Sequence, residues 1–175
     1  MRDVAGVLQR ALSDEIIYAR PERLRVFVSS QMRGGILAAE RQAAVEAIES
    51  HPDYRAWVWE RDSAAGPYSS AKVCVKQAQT SDALVLLLAD DLTPVTAKEY
   101  RAAGRAGVPR FVFLKDGAPR TEAAEKFVTL EQRRRIVTEN FGNVAEMKTQ
   151  ILNAIRTYTR MAHRRSIAEA RARRP

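Results

Sequence analysis

Apolar and polar positions along the chain fall into blocks that read in turn as helix and strand. Val4, Val7, Leu8, Leu12, Ile16 and Ile17 recur at helical spacing and Pro21 follows, which predicts an amphipathic helix over residues 1–20. Leu24 to Ser30 (LRVFVSS) is a short β-rich run that ends in two hydroxyls and a Gly34-Gly35 break, the pattern of a parallel strand buried on both faces. Leu37, Ala44, Val45 and Ile48 return to helical spacing until His51-Pro52, and YRAWVWE (Tyr54 to Glu60) resumes an extended pattern. A polar loop (RDSAAGPYSS) precedes a helix around Ala71 to Gln79. ALVLLLA (Ala83 to Ala89) is then the most apolar strand in the chain, and it belongs at a sheet centre.

The alternation continues through a polar turn (DDLTP), a helix from about Thr96 to Ala106, Gly107 as its stop, and RFVFLK (Arg110 to Lys115). Glu122 to Leu130 predicts a further helix and Arg135 to Thr138 a weak fifth strand. Val144, Met147, Ile151, Ile155 and Tyr158 predict a long closing helix. Strands alternating with helices at this spacing argue for a doubly wound α/β fold, with a parallel sheet of about five strands, flavodoxin-like in order. The expected organisation is a helix over 1–20, one α/β domain over 21–159 and an Arg-rich helical end or linker over 160–175. Such sheets bind ligands beyond the carboxyl ends of their strands. Four segments meet that edge here: 29–35, 60–70, 90–96 and 115–120.

Composition changes this picture at the margins. With 175 residues, 46% of them apolar, the chain can bury one sizeable core. Of the net charge of +8, residues 160–175 supply +5 through six arginines against Glu169, so the basic balance describes a tail. That tail carries no interleaved aromatics, which disfavours a nucleic-acid-binding role. No apolar run approaches the roughly 20 residues of a membrane span, and charges interrupt the first residues where a secretory leader would be apolar. A cytoplasmic protein with no membrane partner is expected. One cysteine, Cys74, and two distant histidines, His51 and His163, leave no disulfide framework and no metal-ligand spacing. Gly34-Gly35 is not followed by Lys-Ser/Thr, and neither GxGxxG nor GxSxG is present, so the common phosphate loops and a serine-hydrolase elbow are absent.

VFVSS in strand one, Glu40-Arg41 in the next helix, WVWE ending strand two, SDALVLLL at strand three and TAKEYRAAGRAGVPRFVFLK beyond it carry a resemblance. Over roughly residues 24–115 the chain resembles a bacterial domain-of-unknown-function family found at the N-termini of signalling ATPase and repeat proteins. That family is related to TIR domains and nucleoside 2-deoxyribosyltransferases. The resemblance implies a TIR-like fold and a catalytic glutamate at Glu99 acting on an N-glycosidic bond. Physically, such cleavage passes through an oxocarbenium-like ribose, which a carboxylate near the anomeric carbon can stabilise or trap. A nicotinamide leaves as a neutral molecule and needs no general acid. Against this stands a second reading of the same residues: Thr96-Ala97-Lys98-Glu99 is a capping-box pattern, in which Glu99 only completes a helix start. Lys98, directly before it, has the charge to neutralise the carboxylate.

Candidate substrate contacts gather at the same strand edge: Ser29, Ser30, Arg41, Glu60, Tyr68, Ser70 and Asp90. Each has a structural alternative. The two strand-one serines suit a turn, Arg41 a buried partnership with Glu60, Ser69-Ser70 a helix start, and Trp57 with Trp59 a shared core face of strand two. The reading that results is a TIR-like effector domain that cleaves the N-glycosidic bond of NAD or a related nucleotide in bacterial immune or stress signalling. NAD would be a substrate, no metal or cofactor is expected, and self-association on activation and a larger C-terminal signalling region are. The alternative is a non-catalytic oligomerisation or ligand-sensing module.

Overall fold

The computed structural model describes residues 23–32, 36–134 and 136–173. The helix expected over 1–20 and the Gly34-Gly35 break lie outside the described residues. Five strands, β1 (Leu24–Ser30), β2 (Tyr54–Trp57), β3 (Ala83–Leu88), β4 (Arg110–Lys115) and β5 (Thr138–Phe141), form one sheet in the order β2-β1-β3-β4-β5. Every neighbouring pair is parallel, so each connection carries a helix across a face. These helices are α1 (Ala38–Glu49), a single turn α2 (Trp59–Asp62), α3 (Ser70–Thr80), α4 (Pro94–Arg105), α5 (Glu122–Arg133) and α6 (Val144–Ala172). The order is the flavodoxin-like one, with the progression of strands reversing between β1 and β3.

Strand alternation sorts the core into two layers. Val26, Val28, Val85, Leu87 and Phe113 face α1 and α6, where Ile48, Met147, Ile151 and Ile155 close over them. Phe27, Leu84, Leu86, Leu88 and Val112 face the opposite side, against Cys74 and Ala78 of α3, Tyr100 and Ala103 of α4, and Val128 of α5. All six residues of β3 are buried, as its unbroken apolar run predicts for a central strand. Gly107 ends α4 at φ 78°, where its N–H bonds Gly104 C=O and the next N–H bonds Ala103 C=O; a left-handed turn of this kind is why glycine stands there.

Four expected boundaries move. The second strand stops at Trp57, and Trp59-Glu60 belong to the turn α2, whose start is held by Asp62 Oδ2 accepting the Val58 N–H at 2.9 Å. Trp57 and Trp59 therefore share no strand face; Trp57 stacks on Phe27 in the core at 5.0 Å. The fifth strand lies at Thr138–Phe141 and not at 135–138, because α5 runs on to Arg133 and the Ile136 N–H still folds back to Glu131 C=O. The fourth helix starts at Pro94, two residues before Thr96. The closing helix continues to Ala172, but its packing ends earlier: Met147, Ile151 and Ile155 are buried, whereas Tyr158, Met161 and Ile167 are exposed. No described helix is long and apolar enough to cross a membrane.

Candidate active site

At the carboxyl edge of the sheet, the two serines that end β1 point to opposite faces because strand side chains alternate. Ser29 turns toward α4 and Ser30 toward α1. β1 and β3 run side by side here, with Ser29 opposite Leu86, but their connections leave on opposite faces; the crevice of the strand-order reversal opens above them. It is a cleft of about 510 Å³, lined by Ser30, Gln31, Met32, Trp59, Ser70, Ala71, Cys74, Asp91, Thr93 to Thr96 and Glu99. That size suits a small-molecule ligand.

Glu99 reaches the cleft from the inner face of α4. Thr96, Glu99, Tyr100 and Ala103 are all buried, an i, i+3, i+4, i+7 stripe in which one position is a carboxylate. Glu99 is only 6% exposed, and Ser29 Oγ donates to its Oε2 at 2.5 Å. Burial pushes its carboxyl above the ordinary 4.5, while hydrogen bonding from Ser29 and Cys74 pulls the other way without cancelling it. Among the described residues no lysine or arginine pairs with it. The capping-box reading fails here. The cap of α4 is Thr93, whose hydroxyl accepts the Thr96 N–H, and Pro94 takes the first helical position. Thr96 is itself inside the helix, 2.9 Å from the Thr93 hydroxyl, so Glu99 has no helix start to complete. Lys98 is exposed on the outer side of α4, lines a separate groove and leaves the carboxylate un-neutralised.

The thiol of Cys74 sits against Glu99 from α3, and burial together with that carboxylate pushes it up to about 12. It stays protonated at neutral pH and is no nucleophile. Trp59 lines the opposite part of the wall. Its position follows from Glu60, whose Oε1 accepts Arg41 Nε at 2.8 Å; Arg41 Nη1 also donates to Gln31 C=O at 3.0 Å and Ser30 Oγ at 3.3 Å. With its side chain 12% exposed, Arg41 spends its donors tying the end of β1 to α2. Arg41 and Glu60 thus stand behind the cleft wall and hold it. A second tie, Lys115 to Glu40 at 2.6 Å, fastens α1 to the end of β4.

Of the sequence-derived candidates, Glu99, Ser29, Ser30 and Ser70 come together at the cleft, with Arg41 and Glu60 just behind it. Asp90 does not line it: its backbone carbonyl accepts the Thr121 N–H at 2.7 Å, and the neighbouring Asp91 is the carboxylate on the wall. Tyr68 stands apart, 62% exposed, with the Lys72 ammonium 4.3 Å over its ring. Trp59, Cys74, Asp91 and Thr93 are lining residues that sequence reasoning did not select. Among the described residues no three His, Cys, Asp or Glu side chains cluster closely enough to hold a metal ion.

A family model described as a domain of unknown function, DUF4062, matches residues 25–164. No curated protein matches the chain. Among solved structures, the chain is similar to the CMP N-glycosidase BcmB of Clostridium botulinum, at 12% identity and a TM-score of 0.54 over 73% of this chain and 96% of that one. It is similar to the TIR domains of the activated Roq1 resistosome that recognises the pathogen effector XopQ, at 13% identity and a TM-score of 0.52 over 75% and 99%. A conserved protein of Enterococcus faecalis gives 13% identity and a TM-score of 0.52 over 75% and 99%. At these identities the shared feature is the fold, a five-stranded parallel sheet of the flavodoxin-like, TIR-like kind.

Proposed function

The chain belongs to the DUF4062 family, and from its site we propose that it is a nucleotide N-glycosidase in which Glu99 is the catalytic carboxylate. One observation carries this reading: Glu99 is a buried acid on a ligand-sized cleft, held by a serine hydroxyl and a thiol and by no cation among the described residues. A buried carboxylate without a counter-charge is costly to keep. It becomes useful where the substrate itself develops the missing positive charge.

In the proposed reaction the bond between the anomeric carbon and the base nitrogen breaks, and its electron pair leaves with the base. The ribose becomes oxocarbenium-like beside Glu99, whose charge stabilises it, and water adds to the anomeric carbon and releases a proton to solvent. Ser29 keeps one oxygen of this cleft-lining carboxylate oriented. Trp59 offers an aromatic wall against which a planar base can stack. A pyridinium nucleotide such as NAD suits this cleft because its base departs neutral without being protonated, and Cys74, held protonated by burial, is a poor proton donor. The similarity in fold to a CMP N-glycosidase supports the same class of bond.

Within this reading the domain is the effector of a bacterial immune or stress-signalling protein and acts on self-association, for which the exposed Tyr158 and Met161 of α6 supply an apolar surface. The test is product analysis after incubating concentrated protein with NAD and with CMP, following free base chromatographically. Nicotinamide release that rises faster than linearly with protein concentration is expected. No base release from either compound at any concentration contradicts the proposal and leaves a non-catalytic ligand-sensing module.

A further inference from the structure

Among the described residues the cleft that holds Glu99 is lined by two carboxylates, Glu99 and Asp91, and by no lysine or arginine. Arg41, a guanidinium behind the wall, has its donors on Glu60, Gln31 and Ser30. For a nucleotide whose sugar lies at Glu99 the described wall of this cleft offers its phosphates no cation, and phosphate oxygens are repelled by the two carboxylates. A second groove of about 690 Å³ begins at Ala71, which lines both, and runs outward past Tyr68, Lys72, Val75, Lys76 and Lys98. Among the described residues none that lines it is acidic and none of its three lysines forms an ion pair. Lys72 and Lys76 are one helical turn apart on α3, about 6 Å along its axis, and Lys98 faces them from α4. Tyr68 lines the same groove, exposed to solvent and with Lys72 over its ring.

We propose that this lysine groove is the phosphate-binding arm of the site, receiving the phosphate or pyrophosphate of a nucleotide whose sugar sits at Glu99. The proposal rests on the N-glycosidase reading for where the sugar lies, but it concerns binding and not turnover. It divides the ligand by charge: the acidic cleft takes the sugar and the base that leaves, and the basic groove takes the anionic remainder. It makes phosphorylated nucleotides, and not free nucleosides, the ligand class. Because the lysines are exposed, their attraction is screened by salt.

The test uses Glu99→Gln protein, so that no probe is consumed, and isothermal titration calorimetry with matched pairs: nicotinamide mononucleotide against nicotinamide riboside, and CMP against cytidine. The phosphorylated member of at least one pair is expected to bind about tenfold more tightly, an advantage that shrinks as salt is raised. In protein that also carries Lys72→Ala, Lys76→Ala and Lys98→Ala the advantage disappears while nucleoside binding stays the same. Equal affinity within both pairs, including no binding by either member, overturns the proposal, and so does an advantage that survives the three alanines. Absence of base release by wild-type protein would remove the N-glycosidase reading while leaving the affinity difference to be measured, so the two failures are distinguishable.

Discussion

Glu99 is the residue on which the account turns, and its burial has a consequence for stability that is separate from catalysis. Its folded-state carboxyl is raised above the ordinary 4.5, so the folded protein holds that proton more tightly than the unfolded chain does. The stability this contributes is fully present below the unfolded value and is lost as pH rises through the folded one. Once pH has risen past the folded value the wild type carries a buried charge at a cost that Glu99→Gln removes, while the amide oxygen can still accept from Ser29. The melting temperature of the wild type should therefore fall relative to that of Glu99→Gln as pH is raised from acid through neutral; thermal melts of both proteins across this range check it. A variant clearly less stable at neutral pH would mean that the negative charge is structural. The sequence made Glu99 visible but left its role open, because two hydroxyl spacings overlap: Thr93 to Thr96 and Thr96 to Glu99. Pro94 decides between them, since a proline at the first helical position makes Thr93 the cap and turns Glu99 inward. That signal was present in Leu92-Thr93-Pro94. The burial of the side chain against Ser29 and Cys74 was not, because it depends on the packing of three separate elements.

Elements with one dominant pattern were legible: β1 and β4 lie where their runs of apolar residues end, and β3 is one residue shorter than its run. Errors arose where residue preference and tertiary context disagreed. Tyr54 to Glu60 is rich in strand-forming Trp and Val, yet β1 pairs with only four of these residues and the remainder turns, under the Arg41–Glu60 bridge, to bring Trp59 to the cleft. β5 is polar except for Phe141, so its position follows from pairing with β4 and not from its own pattern. α6 shows the opposite case, a helix that persists well beyond its last buried residue, Ile155, and its edge contact of Tyr158 on Phe111. Removing residues 160–175 should therefore shift Tm by less than about 3 °C, and any affinity for nucleic acid should fall to background with it. A large loss of stability on that truncation would show that the exposed half of α6 is packed in solution.

At the scale of the whole molecule, the parallel sheet gathers functional groups from distant parts of the sequence at one edge: Ser29 from β1, Ser70 and Cys74 from α3, Glu99 from α4 and Trp59 from α2. The fold could be read from alternation alone. The distribution of charge across it could not, since the acidic cleft, the lysine groove and the arginine-rich end of α6 average into a single net charge of +8. The central claim is that the charge of Glu99, and no structural role of its side chain, drives cleavage. The most direct measurement is the rate of nicotinamide release from NAD by wild type and by Glu99→Gln at matched high protein concentration, with melting curves taken on the same samples. Loss of a transition-state electrostatic partner costs on the order of 10² or more in rate. A fall of at least that size is expected in a Glu99→Gln protein that remains folded; turnover at the wild-type rate by the folded variant would mean that the charge of Glu99 does not drive cleavage.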